Sequence, residues 1–145
     1  MEIRTINSLY TTIAEDLIQS EPELKHIRES EAKIIYLASN ARKKSKGKLV
    51  FGECEKVSDK YKWGIPCDFT ITVFEPNAES FTPGQLRILL FHELLHVGIE
   101  KTLTGESYYI VPHDLEDFSA VVDRFGSDWN KTEKNKKATQ SDYNL

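Results

Sequence analysis

"FTPGQLRILLFHELLHVGI", residues 81–99, is the stretch from which the rest of the chain is read. Thr82 is a natural N-cap, Pro83 suits the first helical position, and Gln85 completes a capping box. Phe81 and Leu86 can close a hydrophobic staple across that cap, and Gly98 is the expected stop. The spacing predicts a helix over 83–97. Leu86, Ile88, Leu89, Leu90, Phe91, Leu94, Leu95 and Val97 make it apolar nearly all round, so it should be central and buried. Inside that apolar surface stand His92, Glu93 and His96.

His92 and His96 are i and i+4, which on a helix places their Cβ atoms about 6 Å apart on one face. Their imidazoles can converge on one cation at about 2.1 Å from each nitrogen. Glu93 is rotated by about 100°, so it need not be a ligand and can instead reach water at the metal. That is the H-E-x-x-H arrangement of zinc hydrolases, with Zn²⁺ as the expected cofactor and Glu93 as the catalytic base. The competing reading is a helix whose histidines are hydrogen-bonded in the core. Burying two imidazoles and a carboxylate unpaired would cost several kcal/mol, and a metal removes that cost in one step.

A catalytic zinc usually takes three protein ligands. Two known continuations fail here: a metzincin would need Gly and His where this chain has Ile99 and Thr102, and a gluzincin pattern beginning at Glu116 would meet Ala120 instead of Asp. What remains is "YYIVPHDLEDFSAVVDRFG", residues 108–126. Leu115, Phe118, Val121, Val122 and Phe125 form a stripe closed by Gly126, which predicts a second amphipathic helix with His113 at its start. Four candidates for the third ligand lie there: His113, Asp114, Glu116 and Asp117. Imidazole is a preferred zinc ligand and favours His113; Asp114 suits an N-cap; Glu116 and Asp117 could accept the remaining N–H of a ligand imidazole. Tyr108 and Tyr109 could donate to an oxyanion, although packing at a sheet rim is the more ordinary use of such residues.

The remaining chain reads as mixed structure. Tyr10, Ile13, Ala14, Leu17 and Ile18 predict an amphipathic helix over 8–20, and Pro22 opens a short one in "PELKHIRES". Residues 32–39 and 48–57 are β-rich, with "SKGK" as the turn before the second. "CDFTITVFEP" (67–76) alternates like a half-buried strand, and as the strand nearest before the motif helix it is the expected free edge for pairing with a peptide. "SDKYKWGIP" reads as a helical turn broken at Gly64 and Pro66, and 106–112 as a short strand or ordered loop. Residues 1–130 are expected to form one domain, and 131–145 a polar, disordered tail.

Composition narrows the class. A chain of 145 residues with 39% hydrophobic and 29% charged residues can bury a single-domain core. The net charge of −4 argues against nucleic acid as the main partner. No apolar run approaches the ~20 residues of a membrane span, and the N-terminus lacks a signal-peptide pattern. Cys54 and Cys67 form no C-x-x-C pair and read as small core residues. A cytoplasmic setting is expected. The basic "ARKKSKGK" (41–48) reads first as a solvated hairpin tip, and His26 as a surface histidine with no partner at metal-ligand spacing.

Three stretches, "KSKGKLVFGECEKVSDKYKWGIPCDFTITVFEPN", "FTPGQLRILLFHELLHVGI" and "YYIVPHDLEDFSAVVDRFG", resemble the metallopeptidase domain family of phages and prophages. More distantly, a His opening a helix after H-E-x-x-H, as His113 does before Phe118, looks like the SprT-like zincins. The resemblance implies a small α+β zincin-like metallopeptidase domain, a curved mixed sheet packed on the motif helix with a second C-terminal helix behind it. It also implies a protein or peptide substrate. The zinc ribbon or basic segment with which SprT-like proteins often meet DNA has no counterpart here. Two other functions stay open: a non-catalytic zinc-stabilised binding module, and a zinc hydrolase acting on a non-peptide bond.

Overall fold

The computed structural model describes residues 1–113. The second helix expected after His113, its acidic residues Asp114, Glu116 and Asp117, and the tail lie outside the described residues. Within them the order is β1 (Arg4–Ile6), α1 (Ser8–Ser20), a 3₁₀ turn (Pro22–Leu24) running into α2 (Lys25–Arg28), and β2 (Ile34–Ser39). A small hairpin of β3 (Lys44–Ser45) and β4 (Lys48–Leu49) leads to β5 (Gly52–Lys56), a second 3₁₀ turn (Asp59–Tyr61) and β6 (Phe69–Phe74). α3 (Glu75–Ala78), α4 (Pro83–Leu94), β7 (Val97–Thr102) and β8 (Gly105–Ile110) follow. The fold is α+β.

Four strands form one mixed sheet in the order β1-β2-β6-β5, with β2 and β6 parallel and the other two pairings antiparallel. The strand expected to offer a free edge is therefore central: β6 is paired on both sides, by β2 and by β5. Nor is it half-buried. Phe69, Ile71 and Val73 enter the core with α1 and α4, while Thr72 and Phe74 are buried too. The guanidinium of Arg4 bonds Thr72 Oγ1 at 3.1 Å and stands 5.5 Å over the Phe74 ring. Alternation in the sequence sees side chains but not which strands flank them, and a β-rich segment with polar alternate residues reads the same at either place. Among the described residues, β1 and β5 are the edges of this sheet, and β5 is the one in contact with α4.

The capping box of α4 and its proline at the first position are present. Thr82 Oγ1 accepts from the Gln85 amide at 3.1 Å, and the Gln85 side chain accepts from the Thr82 amide at 2.9 Å. Its stop is earlier than expected. The helix ends at Leu94, His96 lies in the following turn, and Val97 already opens β7. Gly98 is no cap but the second residue of that strand. A Cβ there would run into the Tyr109 ring of the paired strand, so the missing side chain serves a close approach. α1 is capped by Asn7, whose Oδ1 accepts from the Tyr10 amide at 3.0 Å. Its buried stripe of Tyr10, Ile13, Ala14 and Leu17 shares one core with Leu90, Phe91 and Leu94 of α4. Leu90 and Leu94 are wholly buried, each contributing about 2 kcal/mol of transfer free energy that fixes the helix against the sheet.

The stretch 48–57, read as one strand, is two, β4 and β5, separated at Val50 and Phe51. Lys46 (φ 52) and Gly47 (φ 78) form the turn of the β3–β4 hairpin, where a glycine tolerates the left-handed backbone.

Candidate metal centre

The turn after α4 and the β7–β8 hairpin assemble three imidazoles. Residues 97–102 run out and 105–110 return, with Val97 opposite Ile110, so the ladder carries His96 against Val111. The Val111 amide donates to the His96 carbonyl at 2.8 Å, and the His96 ring Nδ1 donates to the Val111 carbonyl at 2.7 Å. Two residues further on, His113 reaches the site. Its Nε2 lies 2.9 Å from His92 Nε2, and its ring centroid 4.5 Å from that of His96.

One ligand atom from each of His92, His96 and His113 lies within 4.8 Å of the other two. Three nitrogens on a tetrahedral cation at ~2.1 Å stand about 3.4 Å apart, so the cluster needs only small side-chain adjustments to hold one. The bond from His96 Nδ1 to a carbonyl places a proton there, so that in the neutral ring Nε2 is the bare nitrogen able to take a metal. The donor set and its spacing fit a divalent metal.

Glu93 is 4% exposed, with Oε2 3.9 Å from His92 Nε2. Room for it comes from Gly52 on β5: a Cβ there would stand 3.3 Å from Glu93 Oε2 and 3.1 Å from the Thr72 carbonyl oxygen. The motif thus sits against an edge strand of the sheet. Burial first, and then the Glu93 charge, push the Cys54 thiol of β5 far above its ordinary value. The neutral thiol is the favoured form there. Cys67 is buried, and both cysteines are free thiols.

Tyr108 and Tyr109 have structural engagements. The Tyr108 hydroxyl donates to Glu106 at 2.9 Å and its ring meets Phe69 edge-on; the Tyr109 ring covers Gly98. His26 is exposed, as expected of a surface histidine, and donates from Nε2 to the Val97 carbonyl at 2.8 Å, which ties α2 to the residue after His96. Gly52 and Val111 join the site without standing out in the sequence. For Gly52 the one available signal is an isolated glycine inside a β-rich run. For Val111, whose role is a backbone carbonyl, there is none.

A family model described as "Putative phage metallopeptidase" matches residues 5–137, nearly the whole chain. The chain belongs to that family. Membership carries a metal ion and a protein or peptide substrate, and the three-histidine cluster is where the described residues can bind the ion. No curated protein and no solved structure gives a significant match. No described helix is long and apolar enough to cross a membrane.

Proposed function

We propose that this phage metallopeptidase is a zinc enzyme of the zincin type that hydrolyses peptide bonds, with His92, His96 and His113 as ligands and Glu93 as the base. The observation that carries the reading is the convergence of three imidazoles beside a buried carboxylate that lies close enough to act without being one of the three. A purely structural zinc usually has four protein ligands and needs no base. Bound there, zinc supplies Lewis-acid chemistry, polarising a carbonyl and lowering the pKa of water to about 7.

The chain's own groups do the rest. Val111 holds the His96 ring in the tautomer that presents Nε2. Glu93 takes a proton from the attacking water at its carboxylate and delivers it to the nitrogen of the departing amine. Its near-complete burial keeps bulk water from competing for that proton. The substrate lies extended along β5, the edge strand that Gly52 brings against Glu93. Glu116 or Asp117 accepts the remaining N–H of a ligand imidazole. Tyr109 is the better of the two tyrosine candidates for the oxyanion, since the Tyr108 hydroxyl already donates to Glu106 at 2.9 Å. Tyr108→Phe and Tyr109→Phe, each assayed for kcat at unchanged zinc content, test that role. A cytoplasmic site of action, in the host cell, completes the reading.

New protein N-termini in cells making the native chain, compared with cells making Glu93→Gln, test the proposal. Termini that depend on the native chain support a peptidase and name its substrate. Their absence in repeated experiments favours a zinc-stabilised binding module.

A further inference from the structure

The edge of β5 is flanked by exposed cations, although the chain's net charge is −4. Val57 donates to the Asp68 carbonyl and Phe74 to the Phe51 carbonyl, both at 2.9 Å, which sets the phase of the antiparallel pairing. By alternation Glu53 and Glu55 also turn their backbone groups toward β6, leaving the amides and carbonyls of Gly52, Cys54 and Lys56 directed outward. The two glutamates are engaged elsewhere. Arg4 pairs with Glu53 at 3.0 Å and with Glu55 at 3.2 Å, and Lys43 pairs with Glu53.

What remains at the hairpin end of this edge is cationic. The β3–β4 hairpin leads into Gly52 and carries exposed Arg42, Lys44 and Lys46 in a run with no acidic residue. Lys56 and Lys60 are exposed at the other end, where Asp59 between them pairs with Lys62 at 3.2 Å. Asn77 holds the hairpin base in place by donating to the carbonyls of Lys43 (2.9 Å) and Val50 (2.7 Å). A chain of net charge −4 thus carries exposed cations where the chain enters and leaves a strand that runs beside the buried Glu93.

We infer that this edge binds an extended, acidic peptide segment, and that Arg42 and Lys44 help to select it. The inference rests on the peptidase reading for the cleavage step, but not for binding itself. A peptide is favoured over nucleic acid because the outward amides and carbonyls of alternate residues match a peptide backbone; a phosphodiester chain offers acceptors only.

The test uses the full Glu93→Gln chain with zinc, so binding is read without turnover. Fluorescence anisotropy compares an Asp/Glu-rich peptide with its Asn/Gln counterpart. The acidic peptide should bind about tenfold more tightly at low salt, with the advantage shrinking at high ionic strength. Arg42→Glu with Lys44→Glu should bring the ratio to about one. Equal affinities, or a ratio untouched by charge reversal, would overturn the inference, as would a thymidine oligonucleotide of equal length that displaces the peptide at lower concentration. Native chain is then given the same peptides. Charge-dependent binding without cleavage would count against the peptidase reading and leave the acidic-segment inference standing.

Discussion

Gly52 stands so close to Glu93 that a Cβ on it would lie 3.3 Å from the carboxylate oxygen and 3.1 Å from the backbone oxygen of Thr72. The Thr72 carbonyl belongs to the central strand and has little freedom, so an added methyl displaces the glutamate. Gly52→Ala should keep the three histidines and their zinc while lowering kcat at least about tenfold, since small misplacements of a catalytic group are costly. Parallel measurement of zinc content and kcat checks this. Full activity in the variant would mean that the position of Glu93 is not critical.

Gly98→Ala acts on the hairpin that returns the chain to the site. Its Cβ collides with the Tyr109 ring, and overpacking of this kind costs about 1–3 kcal/mol. Tyr109→Ala, which clears the space, should recover part of that loss in the double variant. Urea unfolding of the four proteins measures the coupling, and strict additivity would contradict the contact.

Much of this is legible in the sequence, and the reasons are local. Thr82, Pro83 and Gln85 specify the start of α4 through bonds within four residues, and the buried stripe of α1 has helical spacing. The features that sequence hides depend on partners distant in the chain. β6 looks half-buried until Arg4 is seen covering Thr72 and Phe74. Gly98 looks like a helix stop until Tyr109 is seen lying over it. The hairpin that brings His113 beside His92 is only half legible. Its first strand, Val97–Thr102, begins just after the motif, where helical spacing claims Val97 for the helix.

The Arg4, Lys43 and Glu53 cluster predicts an acid-sensitive contribution to stability. Burial pushes the Glu53 carboxyl up, but the bonds from Lys43 and Arg4 outweigh it and hold it below its ordinary value. A group depressed in the folded state stabilises above its unfolded pKa, and that stabilisation is lost as pH falls through the depressed folded value. Glu53→Gln should therefore cost about 1 kcal/mol at pH 7, after allowance for partial exposure, and progressively less below the ordinary carboxylate range. Unfolding curves at several pH values check it; a pH-independent difference would contradict it.

His113 is the most exposed of the three histidines, and its proposed role as a ligand can be compared with that of its acidic neighbours. His113→Ala should lose most of its zinc and its metal-dependent stabilisation, about 2.7 kcal/mol for the native chain at a hundredfold excess over Kd. Glu116→Ala and Asp117→Ala should retain the metal. Zinc analysis with thermal unfolding tests all three. Native-like binding by the histidine variant, with loss in an acidic one, would make the third ligand a carboxylate.

The central claim, a catalytic zinc served by Glu93, is tested most directly by measuring zinc content and peptide hydrolysis together on Glu93→Gln. The amide preserves size beside Gly52 and leaves the imidazoles untouched. Close to one zinc per chain, native folding, and hydrolysis reduced by at least about a hundredfold are expected, within the range that positioned acid–base catalysis supplies. Hydrolysis at a near-native rate with zinc retained would show that Glu93 is not the base.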